Sequence, residues 1–351
     1  MNNVYAIILA GGNGERFWPM STPARPKQFL SLFGGKELIR HAVDRLAGLI
    51  PPERILVLTA QRLAELTRRT LPMIPPENVI GEPCRRDTAA AVAVACGMVR
   101  RLGGEDAVGC ILTADQLITP EPAFRATLSD AIAAAAKSDS IVTMGIVPDR
   151  PATGYGYIEE GDVYDAGTGT EFRRVLRFVE KPDEATAMRY LETGRFSWNA
   201  GMFIWKVSVM EDAFAAAAPD IGELIGAVSS SDDVDGTLSR LYPGVRSISV
   251  DFAVMEKAPS ILVAKSRFLW DDVGSWLALP SHFGVDSDGN TRLGSTETMD
   301  TRSSIVVSTD DHLTAVLGLE NVVVVHTPEA TLVCDKSRLQ DVKKLLNRPR
   351  G

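Results

Sequence analysis

Val4–Leu30 reads VYAIILAGGNGERFWPMSTPARPKQFL. Its first residues are apolar and partly β-branched, the mark of a buried strand, so a strand is expected over Tyr5 to Leu9. Three glycines in four positions follow (Gly11, Gly12, Gly14), and then two cations, Arg16 and Lys27, spaced around Pro19, Pro23 and Pro26. A dinucleotide fingerprint started at Gly12 puts Phe17 where the third glycine is needed for close helix packing. A P-loop needs Lys-Ser or Lys-Thr after the glycines, and none stands there. What remains is a strand leading into a loop whose amides can form an anion-binding nest, with Arg16 at its end. The prolines restrict the following segment, so Lys27 is held in place.

Outward from this stretch, β-branched runs alternate with segments of helical period. ILVLTA from Ile55, GCILTAD from Gly109 and SIVTMGIV from Ser140 read as strands. ELIRHAVDRLAGLI from Glu37, QRLAELTRRTLP from Gln61, RDTAAAVAVACGMVRRL from Arg86 and AFRATLSDAIAAAAKS from Ala123 read as helices. This alternation predicts an α/β fold with a mostly parallel, doubly wound sheet whose ligands sit at the carboxyl ends of its strands. TGYGYIEEG and RRVLRFVEKP read as strands, EATAMRYLETG as a helix ended by Gly194, and EDAFAAAAPDI as a helix after SWNAGMFIWKVSVM. From about Asp286 short apolar runs recur between turn residues. That places a boundary between residues 285 and 286, with a small all-β coil over 286–351 ending in a basic helix, RLQDVKKLLNRPRG.

With 351 residues, 45% hydrophobic and 23% charged, the chain can bury a large core without staples. A net charge of −8 argues against nucleic acid, which needs a basic face. Cys84, Cys96, Cys110 and Cys334 show no metal or redox spacing and read as buried free thiols of a cytoplasmic protein. The N-terminus lacks the features of a signal peptide, and no apolar run is long enough to span a membrane.

The opening stretch resembles the signature of sugar-1-phosphate nucleotidyltransferases, L-A-G-G-x-G-[TS]-R-[LF]-x-P followed by P-K. Trp18 and the ending P-K-Q-F-L are similar to the mannose-1-phosphate guanylyltransferase branch. The resemblance implies a Rossmann-like nucleotidyltransferase domain with a small C-terminal left-handed β-helix-like domain. It implies that Leu9, Ala10, Gly11, Gly12, Asn13, Gly14, Glu15, Arg16 and Lys27 line the nucleotide, with Arg16, Lys27 and Lys181 as the catalytic cations. Glu15 departs from the usual small hydroxyl residue and sets a negative charge beside the phosphates.

Other motifs follow in family order. GEPCRRDTAAAVA resembles E-P-x-x-R-[ND]-T-A and implies Glu82, Arg85, Asp87 and Thr88 at the base and ribose; Asp87 or Thr88 is also a good N-cap for the next helix. A carboxylate such as Glu82 can accept the N1 and N2 hydrogens of guanine. TADQLI resembles [PT]-[AS]-D-H, with Gln116 in the place of His, and WDDVGSW resembles W-x-D-V-G-[ST]-W. Together they imply Asp115 and Asp272 as magnesium ligands, with Asp271 the alternative, and hard oxygen donors suit that ion. TGYGYI, FVEKP and WNAGMFIW resemble the sugar-binding half and imply roles for Gly156, Glu180, Lys181 and Asn199. SVDFAVMEKA adds Asp251 and Glu256 as sugar-side or structural residues.

The expected reaction is in-line attack of mannose 1-phosphate on the α-phosphorus of GTP, with Mg2+, giving GDP-mannose and pyrophosphate. The rivals are the same chemistry on another sugar phosphate or nucleotide, and a non-catalytic nucleotide-sugar sensor. Longer relatives append a cupin-type isomerase domain, and its activity is not expected here. No nucleic-acid or membrane partner is expected. A homodimer is, with the β tail and WNAGMFIW as candidate interface.

Overall fold

The computed structural model describes residues 3–12 and 14–346. Asn13 and the 347–351 end of the expected terminal helix lie outside the described residues. The chain forms two compact units: Met1–Gly11, Arg40–Ala114 and Ile118–Trp270 make the first; Gly12–Ile39, Asp115–Leu117 and Asp271–Gly351 make the second. This division differs from a boundary between residues 285 and 286, because the opening loop joins the C-terminal β region in one core.

In chain order the strands up to the coil are β1 (Val4–Ala10), β2 (Ile55–Ala60), β3 (Val79–Glu82), β4 (Val108–Thr113), the short β5 (Leu117–Thr119) and β6 (Ile141–Ile146). Then come β7 (Tyr157–Tyr164), β8 (Phe172–Val179), β9 (Phe196–Lys206), β10 (Ile261–Lys265) and the short β11 (Leu269–Asp271). The helices are α1 (Leu38–Asp44), α2 (Ala64–Thr70), α3 (Asp87–Gly103), α4 (Glu121–Lys137), α5 (Glu184–Thr193), α6 (Val207–Ala217), α7 (Pro219–Ser229) and α8 (Val234–Leu241).

The first unit is built on a nine-stranded sheet of order β3-β2-β1-β4-β9-β6-β10-β8-β7. Only β8 and β9 run against the other strands. β1, β2, β4 and β6 are buried almost throughout, as strands covered on both faces must be. The Ala- and Val-rich face of α3 packs on α7 so closely that a Cβ on Gly97 would lie 2.8 Å from Ile225 O. α5 ends at Gly194, whose φ of 63° is the left-handed cap that glycine supplies cheaply.

Three expectations change. WNAGMFIW is the middle of β9, between β4 and β6, with Trp198 and Trp205 buried; an interior strand offers no surface to a second copy. Neither Asp87 nor Thr88 caps α3: the cap position is Arg86, Asp87 has φ 62° and accepts only from its neighbour's amide, Thr88 N, at 2.9 Å. The thiols are all free, but only Cys96 and Cys110 are buried; Cys84 and Cys334 are half-buried.

In the second unit β12 (Thr291–Leu293), β14 (Ile305–Ser308) and β16 (Val322–His326) stack parallel and in register. β17 (Thr331–Asp335) closes that sheet antiparallel, and β13 (Thr296–Met299) pairs parallel with β15 (Thr314–Leu317). This is a short β-helix-like coil. Its inward side chains Ile305, Val307, Val323 and Val325 share one core with Phe17, Leu30, Val273, Trp276 and Leu339. The terminal segment begins as a 3-10 turn, Lys336–Asp341, before a short helix, α10 (Val342–Leu346).

The tightest test of the central packing is Gly109 on β4, where an added Cβ would lie 2.3 Å from the ring of buried Trp205. Gly109→Ala is expected to destabilise the protein by about 1–3 kcal/mol in chemical denaturation, as overpacking does. A midpoint equal to wild type would contradict this packing.

Candidate functional site

The second unit carries most of the opening loop. Gly14 adopts φ 61°, and a Cβ there would lie 2.3 Å from Lys27 Cβ and 2.7 Å from Lys27 N. Both the backbone conformation and the close approach therefore require glycine. Its carbonyl accepts from Phe17 N at 3.0 Å and from Ser21 Oγ at 2.6 Å. A Cβ on Gly12 would meet only Asp115 Oδ2, at 3.9 Å, and one on Gly11, in the first unit, only Glu82 Oε2, at 3.7 Å. Among the described residues nothing in the fold forbids a side chain at Gly11 or Gly12. Pro26 precedes a 3-10 turn, Lys27–Phe29, that turns Lys27 inward.

Lys27 is only 6% exposed. Its ammonium pairs with Asp115 Oδ2 at 2.9 Å and donates to Asp272 O at 2.5 Å. Burying a charge is costly unless it is paired and hydrogen-bonded, and here it is both. The Asp272 carboxyl is pushed above the usual carboxylate range, first by burial and further by Asp115 and Asp271, against the pull of Lys27 and Arg16. Asp271 is otherwise engaged: it accepts from Val273 N at 2.7 Å and contacts His282 Nε2 at 2.8 Å. Val273 itself has φ 46°, an outlier for a β-branched residue and a form of backbone strain that collects at functional sites. Arg16 and Glu15 are exposed on a 3-10 turn, so water screens the Glu15 charge.

The first unit carries the remaining candidates. Leu9 and Ala10 end β1, where their carbonyls accept from Ala114 N and Thr59 Oγ1. Glu82 ends β3, and Tyr242 donates its hydroxyl to Glu82 Oε1. Burial raises the Glu82 carboxyl, partly offset by that bond. Arg85 and Asp87 are exposed, and Thr88 Oγ1 accepts from Val250 N at 2.8 Å.

Gly156, Glu180, Lys181, Asn199 and Asp251 come together in this unit. A Cβ on Gly156 would lie 2.7 Å from Glu180 Oε2 and 3.5 Å from Asn199 Cβ. Gly156 O accepts from Asn199 N at 2.8 Å. The Asn199 amide donates to Asp251 Oδ1 at 2.9 Å and accepts from Gly201 N at 3.0 Å. Lys181 has φ 45° and pairs with Glu180. Beside them Tyr155 packs edge-on against both Trp198 and Trp270.

These motifs match a known family along their whole span. Residues 5–284 fit the Nucleotidyl transferase model, and 295–348 fit the MannoseP isomerase/GMP-like beta-helix domain. The chain belongs to the nucleotidyl transferase family. It is 38% identical over 352 residues to a mannose-1-phosphate guanylyltransferase of Escherichia coli, covering 96% of this chain and 72% of that protein. It is 37% identical over 358 residues to the xanthan biosynthesis protein XanB of Xanthomonas campestris pv. campestris, covering 99% and 73%. A solved structure described as mannose-1-phosphate geranyltransferase from Thermus thermophilus superimposes with a TM-score of 0.88 at 34% identity, covering 99% of each chain. Nucleotidyl transferases of this kind generally use a divalent metal. Among the described residues no group of three or more His, Cys, Asp or Glu is arranged to hold one unaided.

Sequence reading missed Tyr242, which follows an ordinary surface helix with no motif around it. Asp251 it left open between two roles, and the structure places the side chain beside Asn199. Burial and the neighbouring Glu180 push Asp251 up to about 6, against an ordinary carboxyl near 3.9. Between those values the folded chain holds the proton more tightly than the unfolded one, so stability from this group is present at pH 4 and falls as pH rises through about 6. Asp251→Asn is therefore expected to raise the melting temperature at pH 7.5 and to lose that gain at pH 4. An equal shift at both values would show that the carboxyl is not held protonated by burial.

Proposed function

We propose that the protein transfers GMP from GTP to α-D-mannose 1-phosphate, forming GDP-mannose and pyrophosphate. The observation that carries this reading is Lys27, a buried cation tied to Asp115 beside a glycine loop with open space at Gly12. A structural ion pair has no need of that open loop, of a second buried carboxylate at Asp272, or of a strained Val273.

The nucleophile is a phosphate oxygen that already carries charge, so no general base is needed, and catalysis rests on positioning and charge neutralisation. Gly12 gives the triphosphate room, Gly14 lets the loop close on Lys27, Arg16 faces the leaving β and γ phosphates, and Lys27 faces the α-phosphate. Glu82 accepts from guanine. Glu180 and Asn199 hold sugar hydroxyls, and Lys181 meets the sugar phosphate. Magnesium is assigned to Asp115 and Asp272: two hard oxygen donors, one with a raised pKa that a nearby cation would lower, fit an ion that keeps most of its sphere for water and phosphate. When bound, the ion would supply charge neutralisation on the phosphates.

A cytoplasmic homodimer without a nucleic-acid partner belongs to the same reading. The net charge of −8 supports the lack of a nucleic-acid partner, and among the described residues no helix is long and apolar enough to cross a membrane.

Pyrophosphate release measured across GTP, ATP, UTP and dTTP, each with mannose 1-phosphate and glucose 1-phosphate, tests the assignment. Release with GTP and mannose 1-phosphate is expected to dominate; preference for another pair gives the rival substrate, and no release with any pair gives the sensor. Asp115→Ala should lower kcat by roughly 10²–10³, the scale of losing one electrostatic stabiliser, with the fold intact by circular dichroism. Undiminished turnover at saturating magnesium would remove Asp115 from the site.

A further inference from the structure

Tyr242 is fully buried, and its hydroxyl donates to Glu82 Oε1. The other oxygen, Oε2, is the one bordering Gly11 at the start of the glycine loop that follows β1. Tyr242 opens a 3-10 turn, Tyr242–Gly244, and this turn and the chain that follows it are tied to the start of α3. Arg86 donates to Pro243 O, Ala89 N to Ile248 O at 3.1 Å, and Val250 N to Thr88 Oγ1 at 2.8 Å. The segment that carries the phenol is thus anchored to α3, and the carboxylate that ends β3 is held by the phenol.

We infer that Tyr242 is a positioning residue for base selection: it pins Oε1 of Glu82 and leaves Oε2 as the acceptor for the guanine hydrogens. The inference rests on the reading that Glu82 faces the base. A buried carboxylate without this donor takes up a proton more readily or turns, and either change removes a fixed acceptor. Guanine offers hydrogens at N1 and N2. Hypoxanthine lacks the N2 amine, and adenine presents an acceptor at N1. A fixed acceptor favours guanine over both; a protonated or mobile one does not. Burial, together with the Glu82 charge, raises the Tyr242 pKa well above its ordinary value, so the phenol stays a donor.

The test is the ratio of kcat/KM for GTP to that for ITP and ATP in four variants of the full chain. Tyr242→Phe keeps the ring in the core and should lower the GTP preference about tenfold, mainly through KM for GTP. Glu82→Gln, nearly isosteric, is the sharper probe. With Tyr242 in place the Gln carbonyl takes the phenol hydrogen and the amide NH2 faces the base, so the preference for GTP collapses. Adding Tyr242→Phe to Glu82→Gln frees the amide to rotate and should restore part of that preference, a rescue no purely structural role produces. Should Tyr242→Phe fail to fold, Glu82→Gln alone still decides the matter when set beside Glu82→Ala. Loss of preference in Glu82→Ala with preference kept in Glu82→Gln would overturn the role of Tyr242. Preference unchanged in Glu82→Ala would mean that Glu82 does not face the base, and the inference would fall with its premise.

Discussion

The second unit depends on one buried ammonium. Lys27 is enclosed by its own unit and satisfied by a carboxylate and a carbonyl. Its partners come from two other segments of the chain, one of them 245 residues away in sequence. Three segments of the second unit, which also share one apolar core, meet at this cation. The desolvation of a buried ion pair can exceed its Coulombic gain, so such an arrangement is weak evidence for stability and stronger evidence for a place where charge is needed.

Backbone geometry supports the cation from both sides. Gly14 supplies a left-handed turn and a surface without a Cβ against which Lys27 lies. Val273 holds an unfavourable φ beside Asp272, with its amide bonded to Asp271. That bond, with His282, occupies the Asp271 carboxylate and leaves Asp272 to face Arg16 and Asp115. In the first unit the same logic recurs in milder form, where buried Tyr242 and Asn199 each hold a carboxylate whose pKa burial has raised.

Most strands and helices were legible because period and composition are local properties. VYAIILA and ILVLTA are apolar and rich in β-branched residues and form buried parallel strands, and the Ala-rich run from Asp87 forms a buried helix. The site motifs were legible because glycine, lysine and aspartate at those spacings have few structural uses in common. What was not legible depends on long-range packing. Phe17, Trp276 and Ile305 show no shared pattern in the sequence, yet they make one core, and that core moves the opening loop into the second unit. WNAGMFIW looks like an interface because it is apolar, and only the strand order shows it to be interior. Tyr242 matters through a single oxygen, which no periodicity encodes.

The central claim is that Lys27 and Asp115 act as a coupled pair holding the second unit together. A double-mutant cycle by equilibrium unfolding, using Lys27→Met, Asp115→Asn and the combination, measures that coupling directly. The account predicts an interaction energy of about 1–3 kcal/mol, with the double variant more stable than the two single losses sum to, because Asp115→Asn strands the buried Lys27 and Lys27→Met leaves a half-buried Asp115 without its cation. Additivity within about 0.3 kcal/mol would contradict it.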